Sequence, residues 1–126
     1  MAGERILVIE DNPLNLELVR ALLQRLGYIV IDSGTAEEGI ERAKAEQPHL
    51  ILMDVNLPGM DGLTATTVLK SEPTTRHIPV VALTAHAMKG DDALVQTAGC
   101  DGYMTKPIDT RSFPAIVARF LRAEQG

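Results

Sequence analysis

Five polar residues stand directly after short apolar runs. Glu10-Asp11 follows Ile6-Leu7-Val8-Ile9, Asp54 follows Leu50-Ile51-Leu52-Met53, Thr84 follows Val80-Val81-Ala82-Leu83, and Lys106 follows Gly102-Tyr103-Met104-Thr105. If the runs are strands of one parallel sheet, their carboxyl ends share the edge where open α/β folds place their chemistry. Three carboxylates against one ammonium leave two residual negative charges. Each like-charge pair at a separation of about 4 Å costs on the order of 4 kcal/mol at an effective dielectric near 20. A proton or a cation must therefore relieve the set. The donors are all oxygens, which suits Mg²⁺ or Mn²⁺ and not zinc. Asp11 and Asp54 are expected as direct ligands and Glu10 as a ligand through water.

A metal-bound carboxylate beside a Lys and a Thr is the arrangement of a phosphoryl acceptor. The ion and Lys106 would neutralise the oxygens of a phosphoryl group in transit, and backbone N–H groups and the Thr84 hydroxyl would take the rest. Asp54 would be the nucleophile, giving an aspartyl phosphate. No His or Ser occupies these positions to serve as a base, and an ionised carboxylate needs none. Taken singly, each residue has an ordinary reading: Asp54 as a turn residue, Glu10-Asp11-Asn12 as a helix start, Thr84 as a strand end, Lys106 as a solvated charge and Tyr103 as a packed ring. Cys100 reads as a small apolar filler, and His49, His77 and His86 lack metal-ligand spacing. The weight lies in four separate strand ends carrying complementary groups.

The elements that must position these groups alternate. Arg5 to Ile9 reads as a strand. Asn12-Pro13 supplies a helix cap and a Pro at the first helical position, and Leu18, Val19, Leu22, Leu23 and Leu26 follow at helical spacing up to Gly27. Tyr28 to Ile31 is the second strand. Thr35 to Glu38 matches a capping box before a helix that stops short of Pro48. Leu50 to Met53, a helix from about Leu63 to Ser71, Val80 to Leu83, a weaker helix from about Asp91 to Ala98, Gly102 to Thr105 and a last helix through Phe113 and Leu121 complete the series. Five strands alternating with five helices imply a doubly wound parallel sheet in an α/β fold. The first, third and fourth strands are apolar throughout, as strands covered on both faces should be. Pro114 leaves the start of the last helix open between a cap at Asp109 and a cap at Ser112.

At 126 residues the chain fits one domain, with a core from about residue 5 to 121. Only two Tyr, two Phe and no Trp are present, which argues against a stacking surface for single-stranded nucleic acid. A net charge of -5 opposes phosphate-backbone binding. One cysteine excludes an intrachain disulfide. No signal-peptide profile and no apolar stretch of membrane-spanning length is present, so a cytoplasmic protein without membrane contact is expected.

The motifs Ile9-Glu10-Asp11, Leu52-Met53-Asp54-Val55, Leu57-Pro58-Gly59-Met60-Asp61-Gly62, Leu83-Thr84-Ala85 and Lys106-Pro107 together resemble those of the response-regulator receiver domain, the CheY-like phosphoacceptor of two-component signalling. The segment from Ala85 to Asp91 is similar to that of DivK-type single-domain receivers and of receivers attached to hybrid kinases. The resemblance implies a flavodoxin-like sheet of order 2-1-3-4-5 and a phosphoryl group passed to Asp54 from a phosphohistidine. It implies a Mg²⁺ site of Glu10, Asp11, Asp54 and the Asn56 carbonyl, with Lys106 on the phosphoryl oxygens and a cis bond to Pro107. Thr84 and Tyr103 would be paired switch residues, and Asn56 and His86 would tune the lifetime of the phosphorylated state. The implied partners are a histidine kinase or histidine phosphotransferase and a downstream effector. The effector would meet a face near the helix at 91–98, the fifth strand and the last helix. The implied state is a monomer or a phosphorylation-linked homodimer.

Three other readings compete. An aspartate-nucleophile phosphohydrolase of the haloacid-dehalogenase type needs a second Asp two residues after the nucleophile, where this chain has Asn56. A flavin mononucleotide carrier needs a hydroxyl- and glycine-rich phosphate loop after the first strand, where Glu10-Asp11-Asn12-Pro13 would repel the phosphate. A receiver cut from a hybrid kinase would carry the same motifs.

Overall fold

A computed structural model describes residues 3–84, 99–106 and 108–125, with side chains to 121. The elements in order are β1 (Arg5–Ile9), α1 (Pro13–Arg25), β2 (Ile29–Ser33), α2 (Ala36–Glu46), β3 (Leu50–Asp54), α3 (Gly62–Ser71), β4 (Val80–Thr84), β5 (Gly102–Thr105) and α4 (Phe113–Gln125). The strands form one parallel sheet of order β2-β1-β3-β4-β5. Four helices are thus present among the described residues. The helix expected from about Asp91 to Ala98 lies outside them, as do His86 and Pro107 with its expected cis bond.

The helix boundaries follow from local chemistry. The Asn12 side chain accepts the N–H groups of Leu14 and Asn15 at 2.9 and 3.2 Å, and Pro13 opens α1 where a missing donor is harmless. At the other end Gly27 takes a φ of 92°. There the Gly27 N–H reaches the Gln24 carbonyl at 3.0 Å and the Tyr28 N–H reaches that of Leu23 at 3.1 Å, the pair of bonds of a Schellman ending. Thr35 caps α2 through the Glu38 N–H, and Asp61 caps α3 through the Thr64 N–H at 2.7 Å.

The end of the second strand differs from the sequence expectation, and the start of the last helix is decided between the two options the sequence left open. The second strand runs to Ser33 and not to Ile31: Ser33 is buried, and the half-exposed Asp32 side chain pairs with Arg20 of α1. The last helix begins at Phe113, so Pro114 is its second residue, where no helical hydrogen bond is lost. Asp109 instead organises the preceding turn: its carboxylate accepts the Arg111 N–H at 2.9 Å and its carbonyl accepts that of Phe113 at 3.0 Å.

Alternation along the strands divides the core in two. Ile6, Val8, Leu50, Leu52, Val81 and Leu83 face α1 and α4, where Val19, Leu23, Phe113 and Val117 cover them. Leu7, Ile9, Ile51, Met53 and Val80 face α2 and α3, under Ala36, Ile40, Ala65 and Leu69. β3 and β4 are buried along their whole length, as expected for central parallel strands. Leu18, expected on the apolar stripe of α1, is instead 38% exposed. No described helix is long and apolar enough to cross a membrane.

Candidate acidic site at the carboxyl edge of the sheet

The register brings the strand ends together. Ile9 pairs with Met53 and Asp54 with Leu83, so Glu10 and Asp54 stand side by side at the edge. Both continue the parity of the residues facing α1 and α4: Ile6 and Val8 on β1, Leu50 and Leu52 on β3. Thr84 pairs with Thr105, and the ladder runs one rung further, with the Lys106 N–H donating to the Thr84 carbonyl at 2.7 Å.

Lys106 closes the site. Its Nζ lies 2.9 Å from Glu10 Oε1 and 3.2 Å from Asp54 Oδ1. Glu10 and Asp54 are only 1% and 2% exposed, and Thr84, at the end of the neighbouring strand β4, is also buried. The remaining Glu10 oxygen, Oε2, accepts the Asn12 N–H at 3.1 Å. Asp54 Oδ1 accepts the Asn56 N–H at 3.0 Å, which fixes the carboxylate relative to the strand end. Burial and the neighbouring Asp54 carboxyl push the Glu10 pKa up, against the opposing pull of Lys106. Burial alone would lower the Lys106 pKa, but the two carboxylates outweigh it and the net shift is upward. The ammonium is therefore held charged between the two acids.

The set has room for a cation as well. One carboxylate oxygen from each of Glu10, Asp11 and Asp54 falls within 4.8 Å of the others. Glu10 Oε1 is buried and, apart from the ion pair with Lys106, accepts no aligned hydrogen bond. A buried oxygen in that state is suited to a further positive partner. Asp11 is exposed at the mouth of the site. An all-oxygen donor set with one solvent-facing carboxylate fits a hard divalent ion that keeps part of its water shell.

Of the other expected residues, Tyr103 lies on β5 opposite Ala82, and Thr84 lies opposite Thr105, so Tyr103 and Thr84 project to the same face of the sheet from neighbouring strands. Tyr103 is 40% exposed. His49 and His77 are away from this edge. His49 Nδ1 instead accepts the Arg5 N–H at 3.0 Å near the opposite end of β1. Cys100 is half-buried, packs against the α2–α3 side of the core, and lies 3.7 Å from the Thr66 hydroxyl. Burial pushes its thiol pKa up, which keeps it protonated and inert.

Two positions, one against the acceptor and one at the opposite edge of the sheet, went unread in the sequence. Gly62 opens α3 directly against the Asp54 main chain, although Asp61-Gly62 reads only as a loop dipeptide. Asp101 accepts both the Val80 N–H at 2.7 Å and the Lys70 ammonium at 2.9 Å, tying α3 to the start of β4 and β5. Its sequence neighbours carry no signal for that.

The family model for the response regulator receiver domain matches residues 6–118. The chain is 40% identical over 116 residues to the polar-differentiation response regulator DivK of Brucella ovis, covering 92% of this chain and 94% of that protein. Among solved structures it resembles the receiver domain of a sensor histidine kinase from Pseudomonas aeruginosa, described with a magnesium ion coordinated in its active-site cleft. That match has a TM-score of 0.88 and 35% identity over 95% of this chain and 98% of that one. A putative response regulator from Chloroflexus aurantiacus matches with a TM-score of 0.91 and 26% identity over 95% and 98% of the two chains. The sheet order, the acidic edge and these matches agree, and the chain belongs to the response-regulator receiver family.

Proposed function

We propose that this chain accepts a phosphoryl group on Asp54 from a phosphohistidine and so switches a partner-binding face, as a DivK-like response regulator. The observation that carries this reading is the Lys106 ammonium set between buried Glu10 and Asp54, with Asp11 completing an oxygen cluster within 4.8 Å. An Asp54 oxygen attacks phosphorus, and the P–N bond to the imidazole breaks. Its electron pair returns to the ring, which leaves neutral because its other nitrogen carries the proton. Lys106 holds positive charge at the oxygens of the group in transit. The Thr84 hydroxyl, buried at the end of the adjacent strand, would donate to one of them.

Glu10, Asp11, Asp54 and the Asn56 carbonyl would hold Mg²⁺, which when bound offsets the charge of the phosphoryl oxygens. The magnesium described in the Pseudomonas aeruginosa receiver supports that assignment by analogy. The acyl phosphate carries roughly -1.5 to -2 in place of a carboxylate's -1. Drawing Thr84 toward it opens space on the face that Thr84 shares with Tyr103, into which the half-exposed ring can turn. The phosphoryl group biases two states that both exist beforehand. The donor would be a histidine kinase or phosphotransferase and the reader an effector protein, both in the cytoplasm. The chain acts as a phosphoacceptor and not as a turnover enzyme.

Acetyl phosphate with Mg²⁺ tests the assignment. Wild-type protein should become labelled once per chain, and Asp54→Asn should not be labelled at all. Full labelling of that variant would move the acceptor elsewhere, and steady multi-turnover hydrolysis of small phosphoesters would favour a phosphohydrolase.

A further inference from the structure

We propose that Gly62 is a positioning residue for Asp54, setting where the acceptor carboxylate stands by pressing the first turn of α3 onto its main chain. The inference rests on the reading of Asp54 as phosphoacceptor. A Cβ at position 62 would collide with the Asp54 carbonyl oxygen and would stand 2.9 Å from both the Asp54 carbonyl carbon and Val55 Cα. Contacts of that length to backbone cannot be relieved by a side-chain rotation. The strand end would have to move.

The contact is locked from both sides. The Gly62 N–H donates to the Val55 carbonyl at 3.0 Å. The Gly62 carbonyl accepts the hydroxyl of Thr66, wholly buried one turn later, at 2.8 Å. Asp61 caps the same turn through Thr64. On the opposite side the Val55 N–H donates to the Leu83 carbonyl at 2.9 Å, so the peptide after Asp54 is clamped between β4 and α3. The Asp54 carboxylate is tied to the next peptide, Val55–Asn56, through the Asn56 N–H at 3.0 Å, the same peptide whose carbonyl accepts the Gly62 N–H. Any shift of the Asp54–Val55 peptide is thereby passed to Oδ1, the atom that faces Lys106.

Gly39 provides a matched control. It lies in α2, and a Cβ there would also collide with a neighbour, but that neighbour is the far end of the Ile9 side chain. The three atoms nearest that Cβ all belong to the Ile9 side chain, and none is backbone of the acidic edge. Gly39→Ala should therefore cost stability while leaving the acceptor where it is.

The test measures single-turnover phosphorylation by acetyl phosphate with Mg²⁺ over a range of donor concentrations, scaled to the folded fraction from a melting curve. For Gly62→Ala the rate constant at saturation should fall about 100-fold, as a displacement near 1 Å can produce, with the half-saturating concentration unchanged. Gly39→Ala should melt lower yet keep the wild-type rate. Thr66→Val keeps the side-chain shape and removes the bond to Gly62, together with the weak contact from the Cys100 thiol on the side away from Asp54. It should fold and slow the reaction about fivefold, the loss of one ordinary hydrogen bond felt at the acceptor. If Gly62→Ala does not fold, Thr66→Val decides. A wild-type rate in the folded variants, or an equal slowing in Gly39→Ala, would overturn the proposal. Labelling that persists in Asp54→Asn would instead count against the acceptor assignment itself, so the two failures are distinguishable.

Discussion

Lys106 Nζ lies 2.9 Å from Glu10 Oε1, although the two residues end strands β5 and β1, with β3 and β4 between them in the sheet. The same ammonium reaches Asp54 at 3.2 Å. One ammonium thus pairs with two carboxylates that are almost wholly shielded from water. Its removal must be felt by the fold as well as by the chemistry.

Lys106→Met keeps the apolar stem and deletes the charge. Glu10 and Asp54 would then face each other buried and uncompensated, and breaking such a pair by removing one partner typically costs about 3 kcal/mol. The metal-free variant should unfold at clearly lower urea than wild type at pH 7. Millimolar Mg²⁺ should return part of the difference by supplying the missing charge. Equal midpoints for variant and wild type in the absence of metal would show that Lys106 does not carry the charge balance of the site.

The alternation of the fold was legible because β1, β3 and β4 are sandwiched between helices and so read as unbroken apolar runs. The site was legible for a related reason. In a parallel sheet the last residue of each strand falls at a common edge, so Glu10, Asp54, Thr84 and Lys106 announced themselves by following those runs. What escaped depends on neighbours distant in sequence. β2 continues through Asp32 and Ser33 along its ladder to β1, with Arg20 of α1 pairing with Asp32 from the helix before it. The start of the last helix stayed open between two caps, and the turn that Asp109 closes before Phe113 decides it. Gly62 matters through a carbonyl eight residues back, and no local pattern encodes that approach.

Glu10 gives a pH signature of opposite sign to that of an ordinary ion-paired acid. Its folded pKa is raised by burial and by Asp54 above the usual 4.5. Its contribution to stability is therefore present below 4.5 and is lost as pH rises through the raised value. As pH rises through that raised value, the metal-free fold takes on the cost of an ionised, buried Glu10. Lys106, raised above 10.5, keeps its own contribution through neutrality and loses it only in strong alkali. Glu10→Gln should accordingly raise the melting temperature of metal-free protein at pH 7, and the gain should fade near pH 4. Added Mg²⁺ should stabilise wild type more than the variant. A variant that melts lower at pH 7 without metal would show that the Lys106 pair outweighs the desolvation of Glu10.

Asp101 is a structural counterpart on the far side of β4. Its carboxylate accepts the Val80 N–H and the Lys70 ammonium, while its own N–H donates to the Val80 carbonyl at 2.8 Å. Lys70 also reaches the Ile78 carbonyl at 2.8 Å. Asp101→Ala strands one backbone donor and weakens the hold on a partly buried cation, which should cost about 2 kcal/mol. Urea unfolding measures that loss. Labelling by acetyl phosphate should be unaffected once the variant is folded, because the knot lies at the strand starts and the acceptor at the strand ends. A loss of labelling without a loss of stability would contradict this division.

Gly102 meets the ring of Phe120, with two ring carbons 3.0 Å from where a Cβ would stand and the terminal carbon closer still. Arg119 lies 5.5 Å from the centroid of the same ring. Gly102→Ala should overpack this junction of β5 and α4 and cost about 1–3 kcal/mol. Phe120→Leu alone should also destabilise, by losing buried ring area. Combined, the smaller side chain leaves room for the new methyl group, so the double variant should be more stable than the sum of the two losses by about 1 kcal/mol or more. A thermodynamic cycle from four denaturation curves measures the difference. Strict additivity would mean that β5 yields to the methyl by shifting along the sheet edge. Such a shift would also move Lys106, and it would appear in the same samples as a slower phosphorylation rate.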